Sequence, residues 1–120
     1  MNEVEKMYKN IEPNRDCNLY KHFTECPMKH TQCEDCENFV YPPFTAEKQL
    51  ELIKWLTKND KFHCLEIEFF IKEKDYKIST YQKASNFNED FTETLASLIN
   101  NLWQDLTDAE KTEIKNILEI

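Results

Sequence analysis

The chain has 120 residues, 40% of them hydrophobic, including eight Phe, five Tyr and two Trp, enough material for one packed core but not two. Its 23 acidic and 15 basic side chains give a net charge of -8, and Arg15 is the only arginine, so the bidentate fork that suits phosphates and guanine edges is nearly missing. Glycine is absent, which excludes the P-loop, the dinucleotide-binding fingerprint and the G-x-S-x-G nucleophile elbow, all of which need backbone positions that glycine supplies.

No apolar run approaches the roughly 18 residues that span a bilayer. The start, Met1-Asn2-Glu3-Val4-Glu5-Lys6, shows no basic segment followed by an apolar one. A cytoplasmic location is the expectation. Without glycine, left-handed turn positions are expected to fall to Asn or Asp, at Asn38, Asn59-Asp60, Asp75 and Asn86.

Val4, Met7, Tyr8 and Ile11 stand at helical spacing and predict a short, weak helix over 3–12, which Pro13 stops. From Pro13 to Pro43 no period is sustained, although Phe39 and Tyr41 alternate within a short expected strand over 37–41. Pro42-Pro43 forms a rigid connector. Thr45 reads as the N-cap of a helix running to about Asn59, with Leu50, Ile53 and Leu56 as its core stripe. Leu52 and Trp55 widen that stripe beyond what one-sided packing needs, so the helix is either sandwiched or presents Trp55 to a partner.

Residues 62–72 alternate as a strand, with Leu65, Ile67, Phe69 and Ile71 on an expected core face and Cys64, Glu66, Glu68 and Phe70 on the other. Glu73-Lys74-Asp75 makes the turn into a second strand, in which Tyr76, Ile78 and Thr80 share a face. A two-stranded hairpin is marginal alone, so helices must cover it. Beyond a polar loop with Ser85, Asn86 and Asn88, a helical stripe runs through Phe91, Leu95, Leu98, Ile99, Leu102 and Leu106, with Trp103 at its border. Thr107-Asp108-Ala109-Glu110 is a capping box opening a last helix, with Ile114, Ile117 and Leu118 inward. The fold class predicted is α+β: a small β-hairpin or three-stranded antiparallel sheet against three to four helices, with a zinc-stabilised N-terminal loop. One domain is expected over 1–120, with an N-terminal helix and Cys-rich metal-binding segment over 1–44 and a helix-hairpin-helix-helix body over 45–120.

Five cysteines in a reducing compartment point to metal ligation or isolated thiols rather than to disulfides. Cys17, Cys26, Cys33 and Cys36 cluster within the stretch that cannot order itself by apolar burial, while Cys64 reads as a small core residue. Four thiolates are a standard tetrahedral shell for structural Zn²⁺, and Cys33-Glu34-Asp35-Cys36 has the two-residue spacing that lets neighbouring sulfurs grip one ion. Cys17 and Cys26 are spaced more widely than in a short zinc knuckle. Three alternatives therefore stay open: His22 or His30 replacing a cysteine, an iron-sulfur cluster on the same thiolates, or free thiols. Four bound thiolates offset by Zn²⁺ would make the net charge about two units more negative.

Catalysis finds little support. A four-cysteine shell leaves no open coordination position. The zinc deaminase pattern fails, since no H-x-E occurs and Gln32 rather than Pro precedes Cys33. His63 and Cys64 should point to opposite faces of a strand, and no serine adjoins a histidine. The leading expectation is a non-enzymatic binding protein whose acidic surface, with Glu66, Glu68 and Trp55 or Trp103 near its edge, docks onto another protein, although a Trp buries so much area that it is more often plain core. The alternative is a zinc-containing nucleic-acid-binding or regulatory module served by Lys9, Lys21 and Lys29, against which the acidic balance stands. The wide stripe around Trp55 is compatible with a homodimer.

The stretch Pro43-Phe44-Thr45-Ala46-Glu47-Lys48-Gln49-Leu50-Glu51-Leu52-Ile53-Lys54-Trp55-Leu56, with Asn86-Phe87-Asn88-Glu89-Asp90-Phe91 and Leu95-Ala96-Ser97-Leu98-Ile99-Asn100-Asn101-Leu102-Trp103, resembles small proteins of bacteriophages and mobile elements of Gram-positive bacteria. More loosely it is similar to the phage ABA sandwich domain, from which the cysteine-rich segment departs. The resemblance covers about half the chain and carries over no catalytic residue. It implies a factor acting on a host protein, such as an inhibitor of a nucleic-acid-handling defence effector.

Ordering about 20 loop residues costs on the order of 1–2 kcal/mol each in backbone entropy, and a structural zinc site can return roughly 10–16 kcal/mol. Elemental analysis is therefore expected to find zinc in the purified protein, and a chelator to make residues 14–40 protease-sensitive while the remainder persists. Equal resistance with and without chelator would contradict this.

Overall fold

A computed structural model describes residues 2–11, 43–62 and 64–119 of the chain. Cys17, Cys26, Cys33 and Cys36, with His22, His30, Lys21, Lys29, Asn38, His63 and the expected strand over 37–41, lie outside the described residues. Among the described residues, four α-helices and a two-stranded antiparallel sheet make up the α+β architecture: α1 (Glu3–Ile11), α2 (Ala46–Lys58), β1 (Leu65–Phe70), β2 (Asp75–Thr80), α3 (Phe91–Leu102) and α4 (Asp108–Leu118). No helix among them is long and apolar enough to cross a membrane.

α3 sits at the centre. Six consecutive residues, 94 to 99, are buried, and since a helical turn takes about 3.6 residues this stretch has no solvent face. Asp90 caps its start by accepting from Thr92 N at 2.9 Å. α1 and β2 both pack on α3, while α2 pairs with α4. α1, weak as an isolated helix, is held from outside: Met7, Tyr8 and Ile11 are buried, and Glu93 of α3 accepts the otherwise orphaned Val4 N–H at 3.0 Å. Asn100 donates to the Glu3 carbonyl at 3.0 Å and accepts from Asn10 at 2.9 Å. Burial raises the Tyr8 phenol to about 12.

The expected core stripe of α2 shifts phase. Leu52 and Leu56 are buried, Ile53 and Trp55 are half-buried on the flanks, and Leu50 is 52% exposed. At about 100° per residue Leu50 lies nearly opposite Leu52, so both cannot face α4. Thr45 caps the helix as predicted, accepting from Lys48 N at 3.3 Å. Residues 60–62 form a 3-10 turn that buries Phe62 before β1 begins.

The hairpin pairs Leu65 with Thr80, Ile67 with Ile78 and Phe69 with Tyr76. Here the sequence expectation of a covered core face is corrected. Ile78 is fully buried under α3, but across from it Ile67 is 48% exposed, Phe69 50% and Ile71 81%. α3 covers β2, and β1 overhangs. Cys64, expected in the core, is likewise exposed, because it lies outside the paired segment.

On the far side of β2 the loop over 83–88 runs alongside as a substitute third strand. Thr80 N donates to the Lys83 carbonyl at 2.7 Å, Ser85 N to the Ile78 carbonyl at 2.7 Å, and Tyr76 and Asn88 exchange both backbone bonds. Buried Ser85 accepts from Ile78 N at 2.8 Å, and Ser97 of α3 accepts from Asn86 N at 2.9 Å. These hydroxyls fasten the loop to strand and helix together.

α4 opens on the expected capping box, with both reciprocal bonds between Thr107 and Glu110 present. The left-handed positions depart from expectation. Among the described residues they are Lys74, at φ 59°, and Glu119, at φ 60°, and not Asn59, Asp75 or Asn86. Lys74 closes the four-residue hairpin loop by donating its N–H to Phe70 O, and Glu119 terminates α4. A side chain with Cβ costs about 1–2 kcal/mol there, whereas glycine loses roughly 0.5–1 kcal/mol through unfolded-chain entropy. Lys74→Gly should therefore raise stability by about 0.5 to 1 kcal/mol, seen as a higher urea midpoint at unchanged slope; a lower midpoint would contradict the assigned backbone.

Candidate functional site

Of the residues singled out in the sequence, Glu66 and Glu68 lie on the exposed β1 strand. Glu66 stands opposite Ser79 and Glu68 opposite Lys77, and among the described residues neither carboxylate enters an ion pair. The Lys77 ammonium instead sits 5.5 Å from the centre of the exposed Phe87 ring, which also meets Phe70 edge-on at 5.4 Å. On the opposite face Phe69 lies against Tyr76 at 4.8 Å, and Tyr76 against Phe91 of α3 at 5.5 Å. The strand thus carries one acidic face and one apolar face, both reaching solvent.

The two tryptophans have separated roles. Trp103, in a 3-10 turn after α3, is only 8% exposed and belongs to the core, with the Lys111 ammonium 5.3 Å over its ring. Trp55 is half-buried: its ring tilts against Phe62 at 5.8 Å and its indole N–H donates to Glu113 at 2.8 Å. It lines a shallow cleft of about 430 Å³ with Lys58, Asn59, Asp60 and Glu113. Among the described residues the cleft is lined by no Ser, Thr, Cys or His, and no group of three or more His, Cys, Asp or Glu could hold a metal ion.

Next to this cleft lies a polar hub that sequence reasoning reached only through its capping box. Glu110 accepts from Lys61 Nζ at 2.9 Å, from Asn59 Nδ2 at 2.9 Å and from the Thr107 N–H at 2.8 Å. Lys61 also donates to the Asp105 carbonyl. Nothing in the sequence announces that residues 59 and 61 reach residue 110; only the packing of α2 on α4 brings them together.

The chain matches no protein-family model, no curated protein and no solved structure.

Desolvation alone would raise the Glu110 carboxyl, but the Thr107 N–H, Lys61, Asn59 and the Thr107 hydroxyl outweigh it and lower the pKa from 4.5 to about 2. A depressed carboxyl stabilises the fold above its unfolded pKa and loses that contribution as pH falls through the folded value. After allowance for solvent screening, Glu110→Gln should cost about 1–2 kcal/mol at pH 7, and the two stability curves should converge between pH ~5 and ~2. Denaturation curves that stay parallel across this range would contradict the assignment.

Proposed function

We propose that this chain is a non-enzymatic, zinc-stabilised binding protein of phage or mobile-element origin that docks its acidic surface onto a host protein and inhibits a nucleic-acid-handling defence effector. Zinc held by Cys17, Cys26, Cys33 and Cys36 rests on their number, spacing and residue type. The origin rests on the sequence resemblance.

One observation carries the docking part: among the described residues Glu66 and Glu68 enter no ion pair, and they stand beside exposed Ile67 and Phe69 in a chain of net charge -8. Exposed apolar side chains rimmed by charge fit a recognition surface, since the apolar atoms supply affinity and the charges select and steer the partner. A basic, nucleic-acid-handling protein is the complementary target, because the surface that attracts phosphates also attracts carboxylates. Trp55, half-buried and hydrogen-bonded to Glu113, offers an aromatic side chain at its own cleft.

The test is affinity capture from a Gram-positive host lysate with the wild-type chain and with a Glu66→Lys, Glu68→Lys variant, followed by binding to the purified captured protein. Specific retention by the wild type and a loss of about tenfold or more in affinity for the variant are expected. A lysate yielding no specific protein, or a partner bound equally by both chains, would defeat the reading.

A further inference from the structure

The backbone of β1 offers more than its side chains. In an antiparallel strand the N–H and C=O of one residue point the same way, and successive residues alternate between the two edges. Tyr76, Ile78 and Thr80 spend their backbone groups on the loop over 83–88, away from β1. Asp75, Lys77 and Ser79 therefore face β1 and bond to their register partners Phe70, Glu68 and Glu66. The N–H and C=O of Leu65, Ile67 and Phe69 consequently point outward. Among the described residues, Ile67 and Phe69 have no hydrogen bond on that edge.

The register runs unbroken from Leu65 to Phe70, and the strand holds no proline. Open edges of this kind template the addition of another strand unless something blocks it. The glutamates are what blocks a second copy. A copy adding antiparallel must oppose outward residues to outward residues, and three alignments pair Ile67 with an outward residue of the copy's strand. Ile67 against Leu65 sets Glu66 against Glu66, Ile67 against Ile67 sets Glu66 against Glu68, and Ile67 against Phe69 sets Glu68 against Glu68. Each sets like charges directly across from one another, which is destabilising.

The same geometry defines what would fit. We propose that the outer edge of β1 takes up an extended segment of the partner protein in which Lys or Arg alternates with β-branched or other apolar residues. Its basic residues lie beside Glu66 and Glu68, and its apolar residues extend the face of Ile67 and Phe69. The backbone bonds go to Ile67 and Phe69, and the charges set register and exclude acidic strands. This rests on the reading that the acidic surface docks onto another protein, and it names the part of the partner that is read.

The probes are three synthetic peptides added to the full-length protein: Lys-Val-Lys-Val-Lys-Val, its block-ordered isomer Lys-Lys-Lys-Val-Val-Val, and Glu-Val-Glu-Val-Glu-Val. Backbone amide exchange is read residue by residue by NMR. The alternating basic peptide is expected to slow exchange at Ile67 and Phe69 by about tenfold or more, with the other two leaving it unchanged. In the Glu66→Lys, Glu68→Lys variant, whose spectrum reports its fold, the preference should pass to the glutamate peptide.

Equal slowing by the block-ordered isomer would reduce the effect to bulk charge and overturn the proposal. So would unchanged exchange at saturating alternating peptide, or slowing that tracks protein concentration without peptide, which would assign the edge to a second copy. Failure of the broader reading looks different. A captured host protein that leaves Ile67 and Phe69 exchange unaltered overturns strand addition and keeps acidic docking, whereas absence of a host partner with the peptide result intact keeps the edge chemistry and removes the docking role.

Discussion

The geometry of this protein follows from the width of one helix. α3 buries six consecutive residues and so serves as the core for α1 on one side and β2 on another, but a single helix covers only part of a twisted hairpin. Burying Leu95, Leu98, Ile99 and Leu102 is worth about 1.5–3 kcal/mol for each side chain, more than local propensity supplies, and it fixes where everything else can go. β2 gains a covered face and, from the loop over 83–88, a covered edge. Among the described residues β1 gains neither on its outer side. Exposed acidic and apolar side chains coincide there because that strand is left over by the core.

Polar groups do the fastening that a small core cannot. Ser85 and Ser97 lock the loop between strand and helix, Glu93 and Asn100 hold α1, and the Glu110 cluster binds the turn after α2 to the start of α4. Each is a hydrogen bond between segments distant in sequence, so its worth lies in specifying arrangement more than in bulk stability. Proposed zinc ligation by the clustered cysteines would follow the same logic, with a localised polar interaction ordering a segment that has little to bury.

Element identity was legible wherever local chemistry decides it. Thr45 and the Thr107–Glu110 box announced their helices, and the alternation over 62–72 and from Tyr76 to Gln82 announced a hairpin, whose strands run over Leu65–Phe70 and Asp75–Thr80. Coverage was not legible. Alternation tells which residues share a face, and Ile67 and Phe69 do share one with buried Ile78, yet only tertiary placement says that α3 stops at β2. The same limit misassigned Leu50, whose side of α2 depends on where α4 lies. The left-handed residues failed for another reason: with no glycine available, loop closure dictated the position, and Lys74 and Glu119 occupy conformations their side chains do not favour. Among the candidate site residues, the strand glutamates could be read as exposed from their charge, whereas nothing local distinguished half-buried Trp55 from core Trp103.

The central claim, that β1 is paired on one edge and open on the other, is tested most directly by amide exchange in the unliganded full-length chain. Glu66 and Glu68 should exchange slowly, and Ile67 and Phe69, between and beside them, should exchange as fast as unpaired backbone. Protection of Ile67 and Phe69 equal to that of Glu66 and Glu68 would mean that the outer edge is occupied, and would contradict the account.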